Sequence, residues 1–159
     1  MVGYAVPNVL VTTEWVAGHA TDAGVRVVEV DVDTTAYDQG HVRGAAGWNW
    51  ATELCDTIVR DIIPIKKLEE LLGKTGIDNK TTIVLYGDNN NWFAAWAFWQ
   101  LKIYGHQDVR IMDGGRKKWL AEGPTSARTS RRFREQRTRQ AHRICRFARF
   151  CRRCRRRCR

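Results

Sequence analysis

The chain has 159 residues, of which 43% are apolar and 28% carry a charge. This length and this apolar content predict one domain with a sizeable core. No apolar run approaches the length of a membrane span, and no basic stretch followed by an apolar one marks the N-terminus. We therefore expect a soluble, cytoplasmic protein without a membrane partner.

The net charge of +10 is an average over two unlike parts of the chain. Residues 1–123 carry 12 basic and 16 acidic side chains, whereas residues 124–159 carry 15 arginines and one acid, Glu135. Cysteine divides in the same way. Cys55 lies in the first part, and the second part contains Cys145, Cys151, Cys154 and Cys158. The sequence thus predicts a mildly acidic globular body followed by a strongly basic tail.

The first half of the body predicts strands joined by long connections. Apolar, β-branched runs favour strands, and Thr12 or Thr13 followed by Glu14 is typical of a helix start. In chain order we expect a strand at 9–11, a helix from 12 or 13 to between 18 and 22, a strand at 25–31, a polar connection at 33–40, a short strand at 45–48 and a long loop with local turns at 49–64.

The second half of the body alternates more regularly. Apolar residues at helical spacing with charges between them predict an amphipathic helix at 65–74, closed by Gly73 or Gly76. We then expect a buried strand at 82–86, an almost wholly apolar helix at 92–104, a strand at 109–113 and a helix from Gly114–Gly115 to Glu122.

Strands that alternate with helices predict an α/β domain with a parallel sheet covered by helices on both faces. In such folds the site lies at the carboxyl ends of the strands. That edge would gather Asp31, Gly87, Asp88, Asp113 and Gly114.

The loop between the strand at 82–86 and the following helix is the candidate site. A strand that runs through a tight loop into a helix start directs several backbone N–H groups into one concavity, which favours anions and lowers the pKa of a thiol. This loop offers Gly87, Asp88 and the three asparagines Asn89, Asn90 and Asn91, followed by Trp92, and it has no Cys, Ser or His. Asp88 is a candidate general base or, more commonly, a helix N-cap, and the asparagines are amide donors or turn formers.

Two short motifs resemble those of a known family. Tyr37-Asp-Gln-Gly-His-Val-Arg-Gly-Ala45 resembles the G-H-x-P-G-A box of rhodanese-type sulfurtransferases, and Met112-Asp-Gly-Gly115 followed by Trp119 resembles their D-G-G-x-x-x-W element. The resemblance covers about residues 8–123 and is strongest to the N-terminal half of tandem-domain actinobacterial thiosulfate sulfurtransferases. It implies structural roles for the motif residues His41, Gly44, Ala45, Asp113, Gly114, Gly115 and Trp119.

The resemblance also implies a reaction. A loop cysteine of that family takes sulfur from thiosulfate as a persulfide and passes it to cyanide or another thiophile, without a metal or cofactor. In tandem members the cysteine belongs to a second domain, and we do not expect residues 124–159 to form one. In this chain Gly87, or Asp88 if the alignment shifts by one, occupies the cysteine position, and Arg43 replaces the usual proline of the box.

Residue chemistry leaves few other nucleophiles in the body. Cys55 lies between Glu53 and Asp56, whose carboxylates would raise the pKa of its thiol, so we expect it to be unreactive. His41 is a candidate base, although its motif favours a structural role.

We expect an aromatic face of Trp92, Trp96 and Trp99 to be core, packed between the sheet and a partner domain. The isolated chain would then expose an apolar patch and self-associate.

Three interpretations of residues 124–159 stay open. Arginine-rich segments bind nucleic acid, and Cys151-x-x-Cys154 with Cys145 and Cys158 is a weak zinc pattern. The third interpretation, out-of-frame translation, is favoured because Arg, Cys, Ser and Thr crowd together directly after a family-like segment. On each of them the tail is expected to be disordered in isolation.

We therefore expect a single rhodanese-like domain at 8–123 with a disordered tail at 124–159. The family activity is thiosulfate sulfurtransferase, and this chain would be a truncated, non-catalytic half that lacks its partner domain. A weak enzyme that uses Cys55 or a tail cysteine, and a nucleic-acid-associated protein that acts through its tail, are the alternatives.

Overall fold

The computed structural model describes residues 6–59, 61–122 and 126–127. A 3₁₀ turn, Pro7–Val9, precedes the first strand. The strands are β1 Leu10–Val11, β2 Val25–Asp31, β3 His41–Val42, β4 Ala46–Asn49, β5 Thr82–Tyr86, β6 Val109–Met112 and β7 Ser126–Ala127. The helices are α1 Thr13–His19, α2 Thr35–Gln39, α3 Ile65–Thr75, α4 Asp88–Ile103 and α5 Gly115–Glu122.

The main sheet is parallel throughout, as predicted. Its five strands are ordered β1-β6-β5-β2-β4, so that β5 lies at the centre between β2 and β6. The central strand pairs along its whole length, from Thr82 opposite Val25 to Tyr86 opposite Glu29. The short strands β3 and β7 pair antiparallel outside this sheet.

Helices cover both faces of the sheet, which confirms the predicted α/β architecture. On one face α3 and α4 bury an apolar layer that includes Trp48, Ile83, Leu85, Ala94, Ala97 and Leu101. On the other face the layer includes Val16 of α1, Val84, Tyr86, Met112 and Trp119 of α5. The tip of the central strand, at Tyr86, is therefore enclosed, and the loop that follows it starts from a rigid base.

The helix ends follow the predicted capping residues. The Thr12 hydroxyl accepts a hydrogen bond from the backbone N–H of Trp15 at 3.1 Å, so it caps α1. Gly76 ends α3 in the left-handed conformation, with φ of +69°, which a residue with a Cβ adopts at a cost.

Two predicted irregular segments contain helices. The polar connection at 33–40 includes α2, whose start is fixed by Asp33 Oδ1, which accepts from the N–H of Thr35 at 2.9 Å. The loop at 49–64 begins with a π-helical turn, Trp50–Leu54, capped by the side chain of Asn49. Both helices have only five residues, too few for a hydrophobic periodicity to predict them.

The predictions for the tail concern residues that are mostly outside those described. Its disorder, its zinc pattern, its nucleic-acid binding and its out-of-frame origin stay predictions. The backbone of β7 falls inside the range assigned to the tail, and it pairs with β3 through Ala127 opposite His41. Within the described ranges no helix has the length and the apolar character needed to cross a membrane.

Candidate functional site

The loop from β5 to α4 has an unusual backbone. Asn89, Asn90 and Asn91 all have left-handed conformations, with φ of 50°, 55° and 64°. Three consecutive left-handed residues are costly for residues with a Cβ, and asparagine tolerates the conformation better than most residues do. The predicted turn is thus one left-handed turn, and the regular right-handed helix begins at Trp92.

Gly87 begins the loop at a point where no side chain fits. Its backbone is extended, and a Cβ built there would lie 2.4 Å from the carbonyl oxygen of Val30 and 3.0 Å from Asp31 Oδ1. A cysteine at this position would therefore collide with β2. Of the two positions that the resemblance allows for a nucleophile, the geometry favours Asp88, whose side chain is 44% exposed.

The side chain of Asn91 ties the loop to two neighbouring segments. Its Oδ1 accepts from the N–H of Gly87 at 3.0 Å, and its Nδ2 donates to the carbonyl of Met112 at 2.8 Å. Gly115 packs directly against this amide, since a Cβ there would lie 2.4 Å from Asn91 Oδ1. The start of α5 therefore supports the loop, and the N–H of Arg116 also donates to the carbonyl of Gly87 at 3.0 Å.

A carboxyl group lies beneath Asp88, the second residue of the loop. Asp31 Oδ1 accepts from the N–H of Asp88 at 2.8 Å, whereas Asp31 Oδ2 is buried without a hydrogen-bond partner among the described residues. Burial raises the pKa of Asp31 to about 6, and the hydrogen bond from Asp88 opposes that rise. Asp31 therefore holds the loop backbone in place, and its pKa lies well above the ordinary value for an aspartate.

One buried guanidinium joins the loop to the sheet and to α2. Arg116 is 6% exposed. It donates to Glu29 Oε1 at 2.5 Å and to the carbonyl of Ala36 at 2.6 Å, and its Nε lies 3.8 Å from Asp88 Oδ1. The N-cap position of α4 is Gly87 and no side chain caps it, so the predicted N-cap role of Asp88 was wrong; its carboxylate lies beside Arg116 instead.

Glu29 and Tyr86 complete this set of polar contacts. The Tyr86 hydroxyl donates to Glu29 Oε2 and accepts from the N–H of Val42 at 3.0 Å. Burial raises the pKa of Glu29 to about 7, against the opposing effects of Tyr86 and Arg116. Burial, followed by the nearby Glu29, holds the pKa of Tyr86 well above its ordinary value. We call Glu29, Asp31, Tyr86, Asp88 and Arg116 the loop network.

The sequence predicted the place of this network and two of its five members, Asp31 and Asp88, and missed Glu29, Tyr86 and Arg116. The carboxyl edge does bring Asp31, Gly87 and Asp88 together. Glu29 and Arg116 were not predicted to meet there. A usable signal was present, because a glutamate inside the apolar run 25–31 needs a buried cation as its partner.

His41 is part of the fold in this structure. It is 3% exposed, its ring stacks on that of Tyr37 at 3.9 Å, and its Nδ1 lies 2.8 Å from the carbonyl of Tyr37. The Tyr37 hydroxyl donates to the carbonyl of Ala45 at 2.7 Å, and Gly44 turns the chain with φ of +82°. These contacts close the box on itself and leave His41 without access to solvent.

The second motif is also built into the structure. Gly114 and Gly115 both have positive φ, +75° and +57°, and Trp119 is buried in the core under the sheet. Asp113 points outward and pairs with Lys118 at 2.8 Å. The two glycines thus make the close turn that brings Arg116 beneath the loop.

Cys55 lies in a protected position. It is 7% exposed, and its backbone bridges to Ile62. Burial raises the pKa of its thiol, which favours the unreactive protonated form. The predicted direction of the shift agrees, but its cause is burial and not the neighbouring carboxylates.

The tryptophan face of α4 is not core. Trp92 and Trp99 are 73% and 66% exposed, whereas Trp96 is half-buried with its ring edge-on to Trp50 at 5.8 Å. The side of α4 that packs against the sheet presents small and apolar residues together with Gln100. In the described part of the chain, no cluster of three His, Cys, Asp or Glu side chains is arranged to hold a metal ion.

Comparison with known proteins agrees with this architecture. The family model of the rhodanese-like domain matches residues 12–122. The chain therefore belongs to the rhodanese-like domain family, and both motifs and the loop lie inside the matched region.

Individual relatives share this region at high identity. The chain is 53% identical over 121 residues to "Sulfur carrier protein TtuD" of Thermus thermophilus, covering 76% of this chain and 42% of that protein. It is 50% identical over 121 residues to a "Putative thiosulfate sulfurtransferase" of Mycolicibacterium smegmatis, covering 76% and 44%. A solved structure of EanB that carries a cysteine persulfide and ergothioneine is 26% identical, with a TM-score of 0.62, over 78% of this chain and 34% of that one. The match thus spans less than half the length of each of these proteins.

Proposed function

We propose that this chain is a non-catalytic member of the thiosulfate sulfurtransferase branch of its family. In that chemistry a thiolate attacks the outer sulfur of thiosulfate, the S–S bond breaks, sulfite leaves and a cysteine persulfide forms. Cyanide then removes the added sulfur as thiocyanate and regenerates the thiolate. The relatives support the branch through their names, and the loop supports the loss of catalysis.

The observation that carries the proposal is the residue at the first side-chain position of the loop. A nucleophile for sulfur transfer has to be an exposed or partly exposed thiolate. Gly87 has no room for a side chain, and Asp88 presents a carboxylate. Cys55 is buried, and its pKa is raised rather than lowered.

The charges around the loop also disfavour the substrate. Glu29 and Asp88 pair with Arg116, and Asp31 accepts from the N–H of Asp88, so the loop network contains three carboxyl groups and one guanidinium. Thiosulfate is a dianion, and a site that binds it needs an excess of positive charge or free N–H donors. Here the N–H of Asp88 already donates to Asp31 Oδ1, and the N–H of Gly87 already donates to Asn91 Oδ1.

Turnover of thiosulfate and cyanide to thiocyanate tests the proposal. We expect the full chain to give no thiocyanate above the rate in protein-free buffer. Two variants serve as controls for the thiols, Cys55→Ser and a variant with serine at all four tail cysteine positions. Turnover by the wild type that disappears in either variant would contradict the proposal and identify the nucleophile.

Nucleic-acid binding through the tail is a second candidate, because residues 124–159 carry 15 arginines and a single acid. Such binding is expected to weaken steeply as salt concentration rises, since each phosphate contact releases counterions. A variant that ends at residue 127 keeps β7 and removes most of the charge. Binding of a DNA duplex that is unaffected by this shortening, or by salt, would reject the candidate.

A further inference from the structure

The outward side of α4 carries a stripe of exposed apolar side chains. Trp92, Trp99 and Ile103 are 73%, 66% and 53% exposed, and their spacing of 7 and 4 residues places them on one side of the helix. We call these three residues the α4 stripe. Single exposed apolar residues are ordinary, but two tryptophans on one helix face form a patch that marks an interaction site.

Each tryptophan of the stripe lies beside the ring of a neighbouring phenylalanine. The Trp92 ring stacks beside Phe93 at 6.5 Å, and the Trp99 ring lies edge-on to Phe98 at 5.9 Å. Because the opposite side of α4 is packed against the sheet, these indoles are anchored on a rigid element. A partner would therefore meet a surface that loses little conformational freedom on binding.

We propose that the α4 stripe pairs with the α4 stripe of a second copy of this chain, with the two helices antiparallel. Trp92 and Trp99 lie on either side of Ala95 and Trp96. The Trp96 ring packs edge-on against Trp50, and the small side chain of Ala95 allows a second helix to approach on its side of the stripe. In an antiparallel pair centred near Ala95, Trp92 of each copy lies beside Trp99 of the other. The contact is self-complementary, as a twofold axis requires.

The charges of α4 favour this orientation over a parallel one. Between Trp92 and Ile103 the only charged side chain is that of Lys102, and the loop end of the helix carries Asp88. An antiparallel pair places Lys102 of one copy near Asp88 of the other, and it also opposes the two helix dipoles. A parallel pair would bring the two Asp88 carboxylates together and the two Lys102 ammonium groups together.

The size of the stripe predicts a weak and reversible pair. Two exposed indoles and an isoleucine supply roughly 400 Å² of apolar surface per copy, since an aromatic side chain contributes about 150–250 Å². A standard stable interface buries about 800 Å² per partner. We therefore expect monomers at low concentration and dimers at high concentration. The inference is independent of whether the chain transfers sulfur.

Sedimentation equilibrium of the full chain tests the inference directly. The protein is studied from about 5 to about 300 µM, the range in which weak dimers form. A reductant prevents disulfides between tail cysteines, and moderate salt screens the tail charges. The wild-type average mass should rise from that of one chain toward that of two. The double variant Trp92→Ser/Trp99→Ser should dissociate at least about ten-fold more readily.

A matched control separates this surface from general stickiness. Leu120 of α5 is 54% exposed on a helix that covers the other face of the sheet, so Leu120→Ser should associate as the wild type does. Circular dichroism verifies that each variant is folded. A wild type that stays monomeric throughout would overturn the proposal. Assembly beyond the dimer would also overturn it, and so would a loss of association in Leu120→Ser as large as that in Trp92→Ser/Trp99→Ser. Binding of lipid vesicles through the stripe by a protein that is otherwise monomeric would overturn it as well.

Discussion

The loop network and the α4 stripe differ in how far their side chains are in contact with other residues. In the loop network, Arg116 contacts two carboxyl groups and a backbone carbonyl while being 6% exposed. In the α4 stripe, Trp92 and Trp99 leave most of their surface open to solvent. Buried polar contacts of the first kind fix a structure, whereas exposed apolar surface of the second kind is available to a partner.

This difference shows which parts of the site are maintained by the fold. The loop is held by Asp31, Asn91, Gly115 and Arg116, so its backbone shape does not depend on a bound substrate. All of these contacts are present although Asp88, the loop residue that they position, carries a carboxylate and not a thiol. A loop that is supported in this way and presents no thiol is consistent with the proposed loss of catalysis.

The largest effect should come from removing the buried cation. Arg116→Met leaves the buried Glu29 without the cation that it pairs with, and breaking a buried pair in this way costs about 3–5 kcal/mol of unfolding free energy. Urea unfolding measures the change. Lys118→Met, which removes an exposed ion pair of the same helix, is the control and should change stability far less. Equal losses in the two variants would show that the network has no special role.

The pH dependence of stability tests the same network. The pKa of Glu29 is raised from 4.5 to about 7 and that of Asp31 from 3.8 to about 6, mainly by burial. The folded chain therefore binds these protons more tightly than the unfolded chain does. Stability is greatest below the ordinary pKa values and falls as pH rises through about 6 and 7, by up to about 3 kcal/mol for each group.

Unfolding between about pH 5 and pH 8 checks this sign. Groups with lowered pKa values, such as Asp78 and Asp108, act below that range. Glu29→Gln should remove the upper part of the slope, since glutamine does not titrate. A wild-type stability that rises across this interval would contradict the assigned pKa shifts.

A smaller loss should follow from adding one methyl group under the loop. In Gly115→Ala the new Cβ would lie 2.4 Å from Asn91 Oδ1 and 2.8 Å from the Gly87 carbonyl, at a φ of +57°. We expect a loss of about 2 kcal/mol, measured by thermal or urea unfolding. Gly73→Ala within α3 meets nothing within 4 Å and should stabilise slightly. Equal tolerance of both alanines would show that Asn91 can move away without cost.

The smallest effect is expected in the α4 stripe. Trp99→Ser removes a side chain that is 66% exposed, so the unfolding free energy should change by less than about 0.5 kcal/mol at a protein concentration too low for pairing. Trp119→Ala, in contrast, empties a site that is 3% exposed and should cost about 3–5 kcal/mol. A large loss in Trp99→Ser would mean that this indole contributes to the fold rather than to an interface.

Much of the fold could be predicted because local patterns and tertiary packing agree. The strands at 25–31 and 82–86 have the predicted bounds, since their apolar runs are buried on both faces of the sheet. The amphipathic helix at 65–74 ends where Gly76 predicted. The short α2 and the π-helical turn were missed because side-chain caps, not periodicity, specify them.

The site was only partly predictable for a different reason. Sequence order indicates which residues lie at the carboxyl edge of the sheet, and this located Asp31 and Asp88. It does not indicate that Arg116, 87 residues from Glu29, reaches back under the loop to pair with it. The sequence predicted an exposed apolar patch on α4, and Trp92 and Trp99 form one. The expectation that these tryptophans pack against the sheet was wrong, because the small side chains of Ala94 and Ala97 occupy that side of the helix.

The most direct test of the central claim is the intact mass of the full chain after incubation with thiosulfate, on the wild type and on Cys55→Ala. An exposed thiolate in an activating site would gain one sulfur atom, and the account holds that this chain has none. We predict no one-sulfur adduct in either protein. An adduct in the wild type that is lost in Cys55→Ala would contradict the account and make Cys55 the nucleophile, and an adduct that persists in both would contradict it through the tail cysteines.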